Sequence, residues 1–143
     1  MNKIESVLEK EGYFVSTTSG ASMFPMLRNR KDTVVIYPVN SCLKKYDVLL
    51  YKRENNYVLH RVVKVLENGY LIRGDNCLYD EFVLDSQVIG ILASFYRGER
   101  LIRIDDIRYV SYYKFWCFIY PLRAVFMKLR FKIGRIVRSI WKR

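Results

Sequence analysis

Short apolar runs alternate with polar turns along most of this chain, and near its end the period changes. Runs rich in Val, Ile, Leu, Tyr and Phe predict strands at residues 13–18, 33–37, 47–52, 57–66, 70–73, 87–96 and 100–104. Between them stand turn-forming clusters: Pro38-Val39-Asn40-Ser41, Glu54-Asn55-Asn56, Glu67-Asn68-Gly69, Gly74-Asp75-Asn76 and Arg97-Gly98-Glu99. Many short strands joined by tight turns predict a mainly β fold, an antiparallel barrel-like domain rather than βαβ units. Asn68-Gly69 is a strong hairpin signal, because both central positions of a type I′ turn need positive φ. The hairpin pairs residues 57–66 with residues 70–73. Counted outward from the turn, His60 and Asp75 then face one another toward the same end of it.

The two ends of the chain read as helices. Ile4, Val7 and Leu8 sit at helical spacing, so residues 2–11 predict a short amphipathic helix that stops at Gly12. Over residues 124–143, Phe126, Leu129, Ile133, Ile136, Val137 and Ile140 share one face at 100° per residue. Lys128, Lys132, Arg135, Arg138 and Lys142 share the other. Gly134 weakens this helix slightly, and Pro121 either starts or kinks it. An aromatic lead-in, Phe115, Trp116, Phe118 and Tyr120, precedes it. The expected organisation is a β domain over residues 1–106 and a basic, aromatic, amphipathic tail over residues 107–143.

Charge sharpens that division. The net charge is +11, yet residues 1–106 carry 15 Lys+Arg against 14 Asp+Glu, while residues 107–143 carry 10 Lys+Arg and no acid. A basic amphipathic helix ending near Trp141 suits the headgroup region of an anionic membrane. Packing of its apolar face on the β domain ranks second, and nucleic acid third, as an unlikely partner. At 143 residues the chain holds one domain with a core and an appendage, and 51% apolar residues exclude a disordered chain. Three cysteines without a Cys-x-x-Cys pair, beside a single histidine, speak against a disulfide framework and a structural zinc site. No metal or cofactor is implied. Residues 1–11 lack the apolar region of a secretory signal, and Lys114 and Arg123 interrupt the later aromatic stretch, which therefore falls short of a span of about 20 apolar residues. The expectation is peripheral membrane association, with the cytoplasmic face favoured.

Candidate chemistry begins at Ser19-Gly20-Ala21-Ser22-Met23-Phe24-Pro25-Met26-Leu27. Small residues let the backbone approach a substrate, and Ser22 can stand exposed as a nucleophile. The N–H groups around Gly20, Ala21, Ser22 and Met23 would hold an oxyanion. A serine among glycine and alanine is more often an ordinary turn, so the reading needs partners. His60, the one histidine, has an ordinary pKa near 6.5 and would serve as general base at neutral pH. An imidazole base works best beside a carboxylate that fixes its tautomer. Asp75, Asp80 and Glu81 are the candidates, and each is equally at home as a turn or loop charge.

Four boxes in order carry a resemblance. Gly20-x-Ser22-Met23-x-Pro25-x-Leu27 is similar to the nucleophile box of the type I signal peptidases, whose wider superfamily includes the LexA-like self-cleaving repressors. Tyr46-Asp47-Val48-Leu49-Leu50-Tyr51 resembles their Gly-Asp-Val-Val strand, with Tyr46 in place of the glycine. His60-Arg61-Val62 falls where bacterial members carry lysine and the endoplasmic-reticulum and archaeal branch carries histidine, and Gly74-Asp75-Asn76 matches that branch's Gly-Asp-Asn box. The resemblance spans residues 14–95. It implies a serine endopeptidase that cleaves precursor peptides after small residues through an acyl-enzyme on Ser22, with His60 as base. Asp75 is its first supporting acid, followed by Asp80 on chemistry or Glu81 on spacing. Gly20 stands where bacterial members carry an assisting hydroxyl, which implies an oxyanion hole of backbone alone. Those peptidases are usually anchored by spanning segments ahead of the nucleophile, and here none is legible. The alternative is a non-catalytic peptide- or membrane-binding module of the same fold.

Overall fold

The structure is a computed structural model and describes residues 3–142. Helix α1 (Lys3–Glu11) buries Leu8 in the core and stops where Gly12, at φ +76°, returns its N–H to the Leu8 carbonyl at 3.0 Å. Eight strands follow: β1 (Phe14–Thr17), β2 (Thr33–Tyr37), β3 (Val48–Arg53), β4 (Asn56–Leu66), β5 (Gly69–Arg73), β6 (Glu81–Leu84), β7 (Val88–Arg97) and β8 (Arg100–Arg103). All pair antiparallel in one sheet of order β1-β2-β7-β3-β4-β5-β6, with β8 also on β7.

The sheet does not close into the expected barrel. Its path has two ends, β1 and β6, four residues each, and they do not pair with one another. Leu49, Tyr51, Val62, Ile72 and Val83 cluster on one face. On the other, Leu8, Met23, Met26, Leu27, Val34, Ile36, Val48, Leu50, Leu92, Phe95 and Tyr109 form the larger core. Because Val48 to Tyr51 are buried on alternating sides, β3 is the covered centre of the molecule.

The aromatic lead-in is itself a helix. α2 (Ile107–Phe118) is capped by the Asp106 carboxylate, which accepts the Arg108 N–H at 2.8 Å. Tyr109, Tyr112, Tyr113 and Trp116 recur at helical spacing, and the three tyrosines pack into the larger core. Helix α3 (Tyr120–Trp141) follows at once, with Pro121 in its first turn, where a missing N–H costs nothing. None of its residues is buried, so its apolar face does not pack on the β domain.

Candidate active site

The loop between β1 and β2 holds Ser22, and buried polar bonds fix its ends. Thr18 Oγ1 donates to the carbonyls of Arg28 (2.9 Å) and Asp32 (3.1 Å). Asp32, fully buried, accepts the Arg28 N–H and guanidinium, both at 2.7 Å. Burial alone would raise the Asp32 carboxyl, but the bonds from Arg28 outweigh it and hold the group below its ordinary range. Inside the loop, Gly20 at φ +90° gives its N–H to Asn29 Oδ1 at 2.9 Å. Met23, Met26 and Leu27 point into the core, while Phe24 is exposed. Met23 therefore offers its backbone at the turn while its buried side chain lies beneath the site. The bonds that fix the turn use the N–H groups of Gly20, Phe24 and Leu27, and among the described residues those of Ser22 and Met23 are unused. Ser22 Oγ makes no hydrogen bond among the described residues, to His60 Nε2 or to any other group.

His60 enters on β4, opposite Leu49 of β3, which makes Tyr51 its diagonal neighbour on the same face. Tyr51 Oη lies 3.2 Å from His60 Nδ1 and donates its proton to Glu81 Oε2 at 2.8 Å. With that proton committed, the Tyr51 oxygen can only accept from the ring, so Nδ1 carries the hydrogen and Nε2 keeps a free lone pair. Arg53 closes the network, donating to Tyr51 Oη at 3.0 Å and to both Glu81 oxygens. Burial, reinforced by the Arg53 charge, lowers the His60 pKa to about 4 against the opposing pull of Glu81 and Asp75. At neutral pH the imidazole is neutral with its Nε2 lone pair free, and the same burial and charge make it a weaker base than an ordinary histidine. Burial would raise Glu81, yet Arg53 and Tyr51 keep it below its ordinary range.

Gly74 is the point where the two sides meet. A Cβ there would lie 2.5 Å from the Ser22 carbonyl oxygen, 2.6 Å from Cys77 Sγ and 3.0 Å from His60 Nε2. Only glycine leaves this space open. Next to it, Asn76 binds the nucleophile turn twice, through its N–H to the Ser22 carbonyl (2.8 Å) and through Nδ2 to the Ala21 carbonyl (3.1 Å). Burial pushes the Cys77 thiol up, so it is not a thiolate competitor for Ser22.

The hairpin register differs from simple counting. Val65 pairs with Tyr70 and Lys64 with Leu71, but a bulge at Val63 shifts the pairing so that Arg61 faces Arg73. Asp75 is thereby matched to Arg61 rather than to His60. Arg61 Nε and Nη2 reach the two carboxylate oxygens at 2.8 Å each, with both side chains almost wholly buried. Tyr112 Oη donates to the same carboxylate at 2.9 Å, and Trp116 Nε1 to the Asp75 carbonyl at 2.8 Å. Asp80 pairs with Arg73 at 2.7 Å. Of the three carboxylates read from the sequence, Glu81 connects to His60, through Tyr51. Sequence reasoning passed over Tyr51 and Arg53, although the pairing of β3 with β4 carries the signal for Tyr51.

Ser22 and His60 line one open groove of about 860 Å³. Phe14, Ser16 and Thr17 of β1 border one side, Leu78 to Glu81 border another, and Met127 and Phe131 of α3 lie along its rim. Its lining is drawn from β1, from the centre of the sheet and from the Asn76–Glu81 segment that leads into β6. Met23, Leu27, Val34, Ile36, Leu50 and Leu59 make its floor apolar. No helix among the described residues is long and apolar enough to cross a membrane. Compared with protein-family models and with curated proteins, the chain matches none.

Proposed function

We propose that the protein is a serine endopeptidase, similar to the signal peptidases of type I in chemistry and in fold, that acts on extended precursor peptides. One observation carries the reading: a neutral His60 Nε2 and the Ser22 backbone carbonyl border the same space that a side chain at Gly74 would fill, with Nδ1 held by Tyr51, which Glu81 holds in turn. In the proposed reaction Nε2 takes the Ser22 Oγ proton as that oxygen attacks the scissile carbonyl carbon. The unused N–H groups of Ser22 and Met23 receive the oxyanion. The imidazolium then passes its proton to the departing amine, and the C–N bond breaks to leave the acyl-enzyme. Water, deprotonated by Nε2, releases the acid and restores the serine. A substrate strand would pair with the free edge of β1, which brings its backbone along the groove. Preference for small residues before the cut is part of the proposal and rests on the resemblance, as does peripheral attachment to an anionic membrane through residues 107–143.

A non-catalytic peptide-binding module is favoured by a different observation: among the described residues no carboxylate bonds to His60 directly, and Asp75 and Asp80 are held by arginines. Mass spectrometry of a precursor-peptide panel incubated with the parent, Ser22→Ala and His60→Ala separates the two. Cleavage by the parent and a loss of roughly a thousandfold or more in either variant is expected. A folded parent that binds peptides and cuts none establishes the module instead.

A further inference from the structure

Helix α3 turns two unlike faces to its surroundings. Taking 100° per residue, Arg123, Met127 and Phe131 lie on the side toward the domain. Arg123 donates to the Trp116 carbonyl at 3.4 Å and to the Asp75 carbonyl, while Met127 and Phe131 edge the Ser22 groove. The opposite side carries Leu122, Leu129, Ile133, Ile136 and Ile140, whose exposure runs from 49% at Ile136 to 65% at Ile140. Lys128, Lys132 and Arg135 flank this apolar row on one side and Arg130 on the other. It is a continuous apolar face, framed by cations, directed away from the only body it touches.

Charge decides what covers it. Residues 107–143 hold 10 Lys+Arg and no acid, so a second copy of the helix would set cations against cations with no carboxylate between them. Nucleic acid would satisfy the cations but leave the isoleucine and leucine row in water. An anionic bilayer meets both demands, taking the apolar row into the acyl boundary and the lysines and arginines at the headgroups. We propose that the outward face of α3 is a docking surface for an anionic lipid bilayer. This gives the peripheral attachment proposed above a defined face. Since the inward face of the same helix rims the groove, a docked molecule holds its groove about one helix diameter, about 10–12 Å, from the lipid.

Vesicle flotation of the full chain tests this without reading cleavage, so its outcome is independent of the peptidase chemistry. The probes are phosphatidylcholine vesicles with and without phosphatidylglycerol. Binding is expected to the anionic vesicles, weakened by salt. A Lys128→Gln/Lys132→Gln/Arg135→Gln variant should lose about a hundredfold, at about 1 kcal/mol of electrostatic attraction per cation. Ile133→Gln/Ile136→Gln, which keeps every charge, should weaken it as well. Several results overturn the proposal: no binding to anionic vesicles, binding that neither variant changes, or duplex DNA binding of equal strength that survives the isoleucine substitutions. A dimer in light scattering that those same substitutions dissociate overturns it too, by assigning the face to a second copy.

Discussion

At the scale of single residues, the proton inventory around Tyr51 decides what His60 can do. The phenol has one hydrogen, and Glu81 takes it, so the imidazole must present N–H at Nδ1 and a lone pair at Nε2. Tyr51→Phe removes that constraint while keeping the ring in the core. The lost bond belongs to a charge-assisted network worth about 1.5–3 kcal/mol, so kcat/KM should fall about tenfold to a hundredfold, measured at neutral pH on any peptide the parent cleaves. The pH profile adds an independent reading. Because burial, and after it Arg53, lowers His60 to about 4, the acid limb of kcat/KM should sit near about 4 instead of near 6.5. Arg53→Gln removes a repelling charge and should move the limb upward. The same shift acts on stability: the unfolded chain binds the proton first, so the His60 contribution is complete above about 6.5 and is lost as pH falls through that value toward about 4. Ser22 and His60 could be read from the sequence as candidates because a small-residue serine turn and the one histidine, directly before Arg61-Val62, stand in the order of the resembled boxes. Tyr51 was not, because in a chain with 12 tyrosines a strand tyrosine reads as core, and its role appears only once Leu49 is paired with His60.

At the scale of elements, one inserted residue redirects a carboxylate. The hairpin turns at Glu67-Asn68, with Gly69 already paired to Leu66 and neither Asn68 nor Gly69 at the positive φ expected of a type I′ turn; the bulge at Val63 then breaks the outward count, and Asp75 comes to rest on Arg61. A bulge has no sequence signature, which is why counting placed Asp75 against His60. The short strand β6 was missed for a related reason: four residues with one buried side chain, Val83, give too little periodicity to read. By contrast, the spacing of Tyr109, Tyr112, Tyr113 and Trp116 does carry the signal of α2, in a stretch read from the sequence as an aromatic lead-in with no element assigned. The Asp75–Arg61 pair now predicts a stability effect distinct from catalysis. Asp75→Asn leaves a buried guanidinium without its charge partner and should cost about 3–5 kcal/mol in urea unfolding. Asp80→Asn breaks a partly exposed pair and should cost no more than about 1 kcal/mol. Equal and small losses would remove the structural role assigned to Asp75, and the carboxylate would have to be sought in the chemistry.

At the scale of the whole molecule, the break in charge and the break in packing fall at different places. The charge changes character at residue 107, yet α2 belongs to the core, through buried Tyr109 and its 3.2 Å bond from Arg61 Nη1. Tyr112 and Trp116 of the same helix hold both ends of Asp75, whose neighbour Asn76 holds the Ser22 turn. Packing weakens only within α3, where the contacts of Tyr120 and Arg123 with the 75–78 loop give way to Met127 and Phe131 at the groove's edge and then to solvent. Two truncations follow from this difference. A chain ending at residue 124 retains every core residue and both of those contacts, so its unfolding free energy should stay within about 1 kcal/mol of the parent, and it should still cleave a soluble peptide. It should no longer float with anionic vesicles. A chain ending at residue 106 uncovers the core around Phe95 and strips Tyr109 from Arg61, and should unfold or lose several kcal/mol, on the scale of about 3–5 kcal/mol for each large core side chain removed. If instead the shorter chain melts like the parent, α2 is an appendage after all, and the route from the helices through Asp75 and Asn76 to Ser22 has no mechanical weight.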